Sequence, residues 1–169
     1  ILQTSVNTLG SMIVASVTAA NKLSIFFSCA FDAMGVAMST YGGQNIGANK
    51  PARLNPGLRA GMLIGSVYSI VALLILIFFG KTLTTLFVDS SETEIIANAY
   101  RFLITCAAFY IPLTAVNVFR LMIQGMGFSK VAVFAGVFEM VARGITGRFL
   151  VPIFGFAAAC FASPLAWVL

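Results

Sequence analysis

Ala60-Gly-Met-Leu-Ile-Gly-Ser-Val-Tyr-Ser-Ile-Val-Ala-Leu-Leu-Ile-Leu-Ile-Phe-Phe-Gly80 contains no charged residue. A helix rising about 1.5 Å per residue needs roughly 20 mostly apolar residues to cross the 30 Å hydrocarbon core of a bilayer, and this stretch supplies them. The same character extends over the whole chain. Of its 169 residues 60% are hydrophobic and 9% charged, against roughly 45–50% and 25% in an average soluble domain, and the mean hydropathy is +1.00. These figures exclude an ordinary soluble globule and a disordered chain, which would need low hydrophobicity and high charge. The reading is an all-α, polytopic membrane helix bundle.

Charges are scarce enough to mark helix ends. Residues 1–21 carry none; Lys22 follows, then a long segment interrupted by Asp32 and closed by Gly47-Ala-Asn-Lys50-Pro51. Asp89, Glu92 and Glu94 lie between two apolar runs, with capping-box spacing in Ser91-Glu-Thr-Glu94. Gly125-Met-Gly127 breaks the next helix, in which Pro112 can introduce a bend, and Pro152-Ile-Phe-Gly155 reads as a tight turn. The predicted helices cover approximately 1–17, 20–46, 57–80, 92–124, 130–151 and 155–169, four of them complete spans within one membrane domain. The chain begins at Ile1 and ends at Leu169 inside apolar runs, and it is read as a fragment with no signal peptide at its start. Positive charge concentrates on cytoplasmic loops. Lys50, Arg53, Arg59 and Lys130 therefore belong on that side, and Asp89, Glu92 and Glu94 on the other. The net charge of +5 reflects this topology rather than nucleic-acid binding.

There is no His, and Cys29, Cys106 and Cys160 lack metal-binding spacing, so no catalytic site, metal site or cofactor is expected and the chain is not read as an enzyme. Ionisable residues within spans cost about 2.5–3.5 kcal/mol each on insertion scales and generally face a bundle interior or aqueous cavity. Asp32, Arg120, Glu139 and Arg143 are the residues in question. At about 100° per residue, Ser28, Asp32, Gly35, Ser39 and Gly43 share one helix face. That stripe fits either small-residue helix packing or a cavity wall with an ion-binding carboxylate. Tyr110, Thr114, Asn117, Leu121 and Gln124 share a second face, with Arg120 on its flank, and are candidates for a substrate cavity. Glu139 and Arg143, four residues apart, form either a structural ion pair or a coupling site in which Glu139 exchanges H⁺ or Na⁺. Small residues four apart at Gly57, Gly61 and Gly65 and at Gly43 and Gly47 allow close helix approach.

The segment Gly35-Val-Ala-Met-Ser-Thr-Tyr-Gly-Gly-Gln-Asn-Ile-Gly-Ala-Asn-Lys50 resembles the signature that ends the second helix of a lobe in multidrug and toxic compound extrusion (MATE) transporters, with Gly35, Ser39, Gly43, Gln44, Asn45 and Gly47 in register. Ile123-Gln-Gly-Met-Gly-Phe-Ser129 is similar to the family segment after the fourth helix, although Gln124 replaces an Arg and Phe128-Ser129 an Asp-Thr pair. The resemblance implies the C-terminal six-helix lobe of a twelve-helix, two-lobe antiporter in a bacterial plasma membrane. Such a protein exports amphipathic, often cationic compounds in exchange for H⁺ or Na⁺, and its partners are the bilayer, those substrates and the missing N-terminal lobe. Relatives that couple through this lobe carry acids in its first and fourth helices. This chain offers only Gln3 and Asn7 in the first and Thr114 and Asn117 in the fourth, which leaves Asp32 and Glu139 as the ion-coupling candidates. Alternatives are a flippase for lipids or lipid-linked oligosaccharides, kept open by Arg120, Arg143 and Arg148, and a non-transporting scaffold or channel subunit.

Overall fold

The computed structural model describes Val6, Asn7 and residues 10–168. Among these the molecule is all-α: α1 (Ser11–Gly47), a 3₁₀ turn (Pro51–Arg53), α2 (Leu54–Thr84), α3 (Thr93–Ala108), α4 (Tyr110–Gly125), α5 (Ser129–Ile145), a π-helical segment (Thr146–Leu150), α6 (Val151–Phe154) and α7 (Phe156–Val168). The helix from Ser11 to Gly47 and that from Pro51 to Thr84 are each long and apolar enough to cross a membrane, and α3 with α4 makes a third such unit, bent by 51°.

The helices are apolar outward as well as inward. α2 buries Gly61, Gly65, Ser69, Ala72, Leu76, Gly80 and Thr84, a small-residue stripe at helical spacing, and exposes Leu63, Ile64, Val67, Phe78 and Phe79. Large side chains toward lipid and small ones toward neighbouring helices is the pattern expected when burial itself provides little driving force and packing decides association. Hydroxyls add links between helices: Tyr68 donates to the Phe27 carbonyl at 3.0 Å, Tyr100 to that of Ile77 at 3.1 Å, and the Ser69 and Thr114 hydroxyls lie 3.1 Å apart.

α1 and α4 form the principal pair. Their closest approach is glycine against backbone: a Cβ on Gly43 would stand 2.9 Å from the Gly125 carbonyl oxygen, one on Gly42 3.0 Å from that of Met122, and one on Gly125 would collide with the Ser39 carbonyl. Both helices then end in the same way. Lys50 N–H donates to the Asn45 carbonyl and Asn49, at φ 55°, to that of Ile46; Phe128 N–H donates to the Ile123 carbonyl and Gly127, at φ 97°, to that of Gln124. Each is a Schellman termination, with a left-handed residue closing the last turn. The basic loops after α1 and α4 consequently lie at one end of the bundle, and the acidic loop after α2 at the other.

Three boundaries differ from the expected ones. The break expected between residues 17 and 20 is absent. The chain turns instead at Gly10, φ 102°, and α1 runs through Val17–Ala20; apart from Val6 and Asn7, the expected first helix up to residue 9, including Gln3, lies outside the described residues. No Gly or Pro interrupts residues 11–34, and the Ser16 and Thr18 hydroxyls bond the carbonyls of Met12 and Val14 within the helix. Lys22 lies within α1, its ammonium 5.8 Å from the centre of the Phe87 ring. The expected helix 92–124 is divided at Phe109, because Pro112 has no N–H to offer and its ring crowds the carbonyl of Ala108 four residues back. Finally, helix continues past residue 151 to Phe154. The widened π turn at Thr146–Leu150 includes Arg148, four residues before Pro152, and absorbs that proline; Gly155, φ 58°, then makes the turn into α7.

Candidate functional site

Near the middle of α1, Ser28 and Asp32 are one turn apart and point between α4 and α5. α4 brings Leu113, Val116, Asn117 and Arg120 to the same space, α5 brings Glu139 and Arg143, and α7 brings Trp167. Together they line a polar cavity of about 180 Å³. Helical spacing positions each group: i and i+4 on α1 and α5, and i, i+3, i+4 and i+7 on α4.

Glu139 is the centre of the charge arrangement. Its Oε1 accepts from Arg143 Nη2 at 2.6 Å and its Oε2 from Arg120 Nη1 at 3.1 Å. The side chains of Arg120, Glu139 and Arg143 are 27%, 19% and 41% exposed, so the triad is accessible from the cavity rather than sealed in the core. Asp32 is exposed on the opposite wall and makes no hydrogen bond or ion pair among the described residues. Asn117 is buried, 4% exposed, with its side chain at the cavity wall. A larger apolar groove of about 430 Å³ between α4 and α5, lined by residues including Phe119, Phe134 and Phe138, meets this cavity at Val116, Arg120 and Glu139. Among the described residues no group of three or more His, Cys, Asp or Glu could hold a metal ion.

The structure thus brings Asp32, Asn117, Arg120, Glu139 and Arg143 to one cavity, and it places the other sequence candidates elsewhere. Tyr110 is fully buried, its ring 5.1 Å from that of Phe31 and 6.5 Å from that of Trp167. The Thr114 hydroxyl donates to the Tyr110 carbonyl and meets Ser69. Gln124 is exposed on the last turn of α4, away from the cavity. The motif residues are built into packing and helix termination. Gly35 faces Leu121, Ser39 and Gly43 face Gly125, Asn45 Nδ2 donates to the Tyr41 carbonyl, the Gln44 carbonyl accepts from Ala48 N–H, and Gly47 lies in open space. Sequence reasoning missed Trp167, the chain's single Trp, and the apolar groove. The regular spacing of Phe134 and Phe138 was the available signal for the groove.

The profile of the MatE family matches residues 1–150. No curated protein matches the chain. A solved structure of a MOP superfamily transporter from Pyrococcus furiosus Vc1 (DSM3638), whose binding pocket is described as having reverse polarity suggesting a different function, superimposes with a TM-score of 0.84 and 19% identity. The similarity covers 98% of this chain and 37% of that one. At this identity the likeness is one of fold, over the extent of one lobe.

Proposed function

The chain belongs to the MatE family, and from that premise we propose that it forms one lobe of a secondary active antiporter that exports amphipathic or cationic compounds in exchange for H⁺ or Na⁺, across a bacterial plasma membrane, together with an N-terminal lobe. The observation that carries the proposal is the cavity that places Asp32, which has no partner among the described residues, opposite a salt-bridged Glu139 inside a membrane bundle. A carboxylate in this position attracts a cation of either origin. A coupling H⁺ or Na⁺ and a cationic substrate would each neutralise Asp32, and only one can do so at a time. Mutual exclusion of that kind, combined with alternating access of the cavity to the two sides, is sufficient for antiport. Arg143 and Arg120 pair with Glu139 and orient its carboxylate, and Asn117 offers an amide to substrate.

Two arginines on the cavity also favour a second reading, a flippase for lipids or lipid-linked oligosaccharides, whose anionic groups they would bind. Drug flux in vesicles containing the intact protein separates the two. The antiport reading expects flux driven by a pH or Na⁺ gradient, at least about tenfold reduced by Asp32→Asn and by Glu139→Gln, since the loss of one charged hydrogen-bonding group costs about 1.5–3 kcal/mol. Full gradient-driven flux in both variants at normal expression overturns the roles assigned to the two acids, and absence of drug flux in the wild type overturns export itself.

A further inference from the structure

The charges around the polar cavity are separated into two poles. On one wall Arg120 and Arg143 share Glu139, so the triad carries one net positive charge. Each guanidinium has several N–H donors, of which Glu139 uses one from each, and the Nε of Arg143 is buried with no partner among the described residues. On the other wall stands Asp32. The remaining lining residues are uncharged: Ser28 on α1, Leu113, Val116 and Asn117 on α4, and Trp167 on α7. The cavity is therefore neutral as a whole and dipolar across its width.

This arrangement discriminates among ligands. A lone anion on the arginines leaves Asp32 without a counter-charge, and a lone cation on Asp32 leaves the net positive charge of the triad without one. A molecule carrying both charges satisfies both walls. The groove between α4 and α5 opens from the same point and is apolar except for Arg120 and Glu139, so it suits a single hydrocarbon chain attached to that head group. We propose that the cavity and groove together bind a single-chain zwitterionic amphiphile, with its anionic group on Arg120 and Arg143, its cationic group between Asp32 and the face of Trp167, and its chain along Phe119, Phe134 and Phe138. This names a substrate class within the efflux reading and rests on that reading for its role in transport, whereas its test is binding alone.

Three octyl amphiphiles with permanent charges, a sulfobetaine, a sulfate and a trimethylammonium, are titrated calorimetrically into the intact protein in nanodiscs, with empty discs subtracted. The sulfobetaine binds the wild type about tenfold more tightly than either singly charged probe, the gain expected from one additional charged contact. Asp32→Asn raises the octyl sulfate affinity to that of the sulfobetaine, and Arg120→Gln does the same for octyltrimethylammonium; both are gains that a misfolded variant would not show. A sulfobetaine that binds no better than both other probes, or a ranking that neither substitution moves, overturns the proposal. Discs of phosphatidylglycerol and of phosphatidylcholine give equal sulfobetaine affinity. Loss of binding in phosphatidylcholine alone assigns the site to a two-chain lipid and overturns the single-chain occupant. If the ranking holds while vesicles show no gradient-driven drug flux, the efflux reading fails and the site stands; if flux is normal and the ranking is absent, the site alone fails.

Discussion

Gly125 has no room for a Cβ unless the backbone shifts, because a methyl group there would meet the Ser39 carbonyl, a backbone atom that cannot rotate away. Gly125→Ala is expected to cost about 1–3 kcal/mol, the usual range for overpacking, and to lower the thermal midpoint of the purified protein. Gly136, in α5, has nothing within 4 Å of a Cβ. Gly136→Ala should leave the midpoint unchanged or raise it, by up to about 1 kcal/mol of helix propensity, and equal losses in the two variants would refute a specific role for the α1–α4 crossing. At this level the cavity was partly legible in the sequence. Charged residues in a span are so unfavourable that each one signals an interior or an aqueous surface, and Asp32, Arg120, Glu139 and Arg143 do converge. Tyr110 and Thr114 share a helix face with Asn117, yet that face changes environment along α4: near its start it meets Phe31 and Ser69, and only two turns later does it reach the cavity. Periodicity identifies a face and says nothing about what stands opposite it at each level.

Helix ends are read from residues that stop a helix, and here the glycines and prolines were more reliable signals than the charges. Lys22 marked no end, since its long side chain can lie along α1 and place its ammonium over Phe87. Pro112 did mark a discontinuity, and its mechanism is testable through the hydrogen bond it removes. In Pro112→Ala the new amide at position 112 has the Ala108 carbonyl as its natural acceptor. If proline alone creates the 51° bend, that amide should exchange with deuterium as slowly as those of the adjacent turns. Rapid exchange would instead show that packing of α3 and α4 against α1 and α2 holds the bend open. The π turn before Pro152 could not be anticipated by any periodicity of 3.6, because one widened turn shifts the register for everything after it.

For the molecule as a whole, the distribution of charge orients the bundle, since the chain ends of α1 and α4 lie together with Lys50, Arg53 and Lys130 nearby. In a Cys29→Ala background, where Cys106 and Cys160 are buried, Asn49→Cys and Ser90→Cys should react with a membrane-impermeant maleimide from opposite faces, position 49 in inside-out vesicles and position 90 in right-side-out ones. Labelling of both from one face would overturn the span count between them. The all-α membrane character was accessible from the sequence because hydropathy and scarce charge point the same way, whereas the cavity's shape depends on how α5 leans on α4, which no local pattern encodes. The crossing of α1 and α4 has a mechanical consequence. Two backbones in direct contact, with glycine on both sides, have no side chain between them whose rotamer could take up slack. Because the contact runs from Gly35 beside Asn117 to Gly43 beside Gly125, the wall carrying Asp32 and the wall carrying Asn117 are held at a fixed spacing, and the width of the cavity is set by the third wall, the one that carries Glu139.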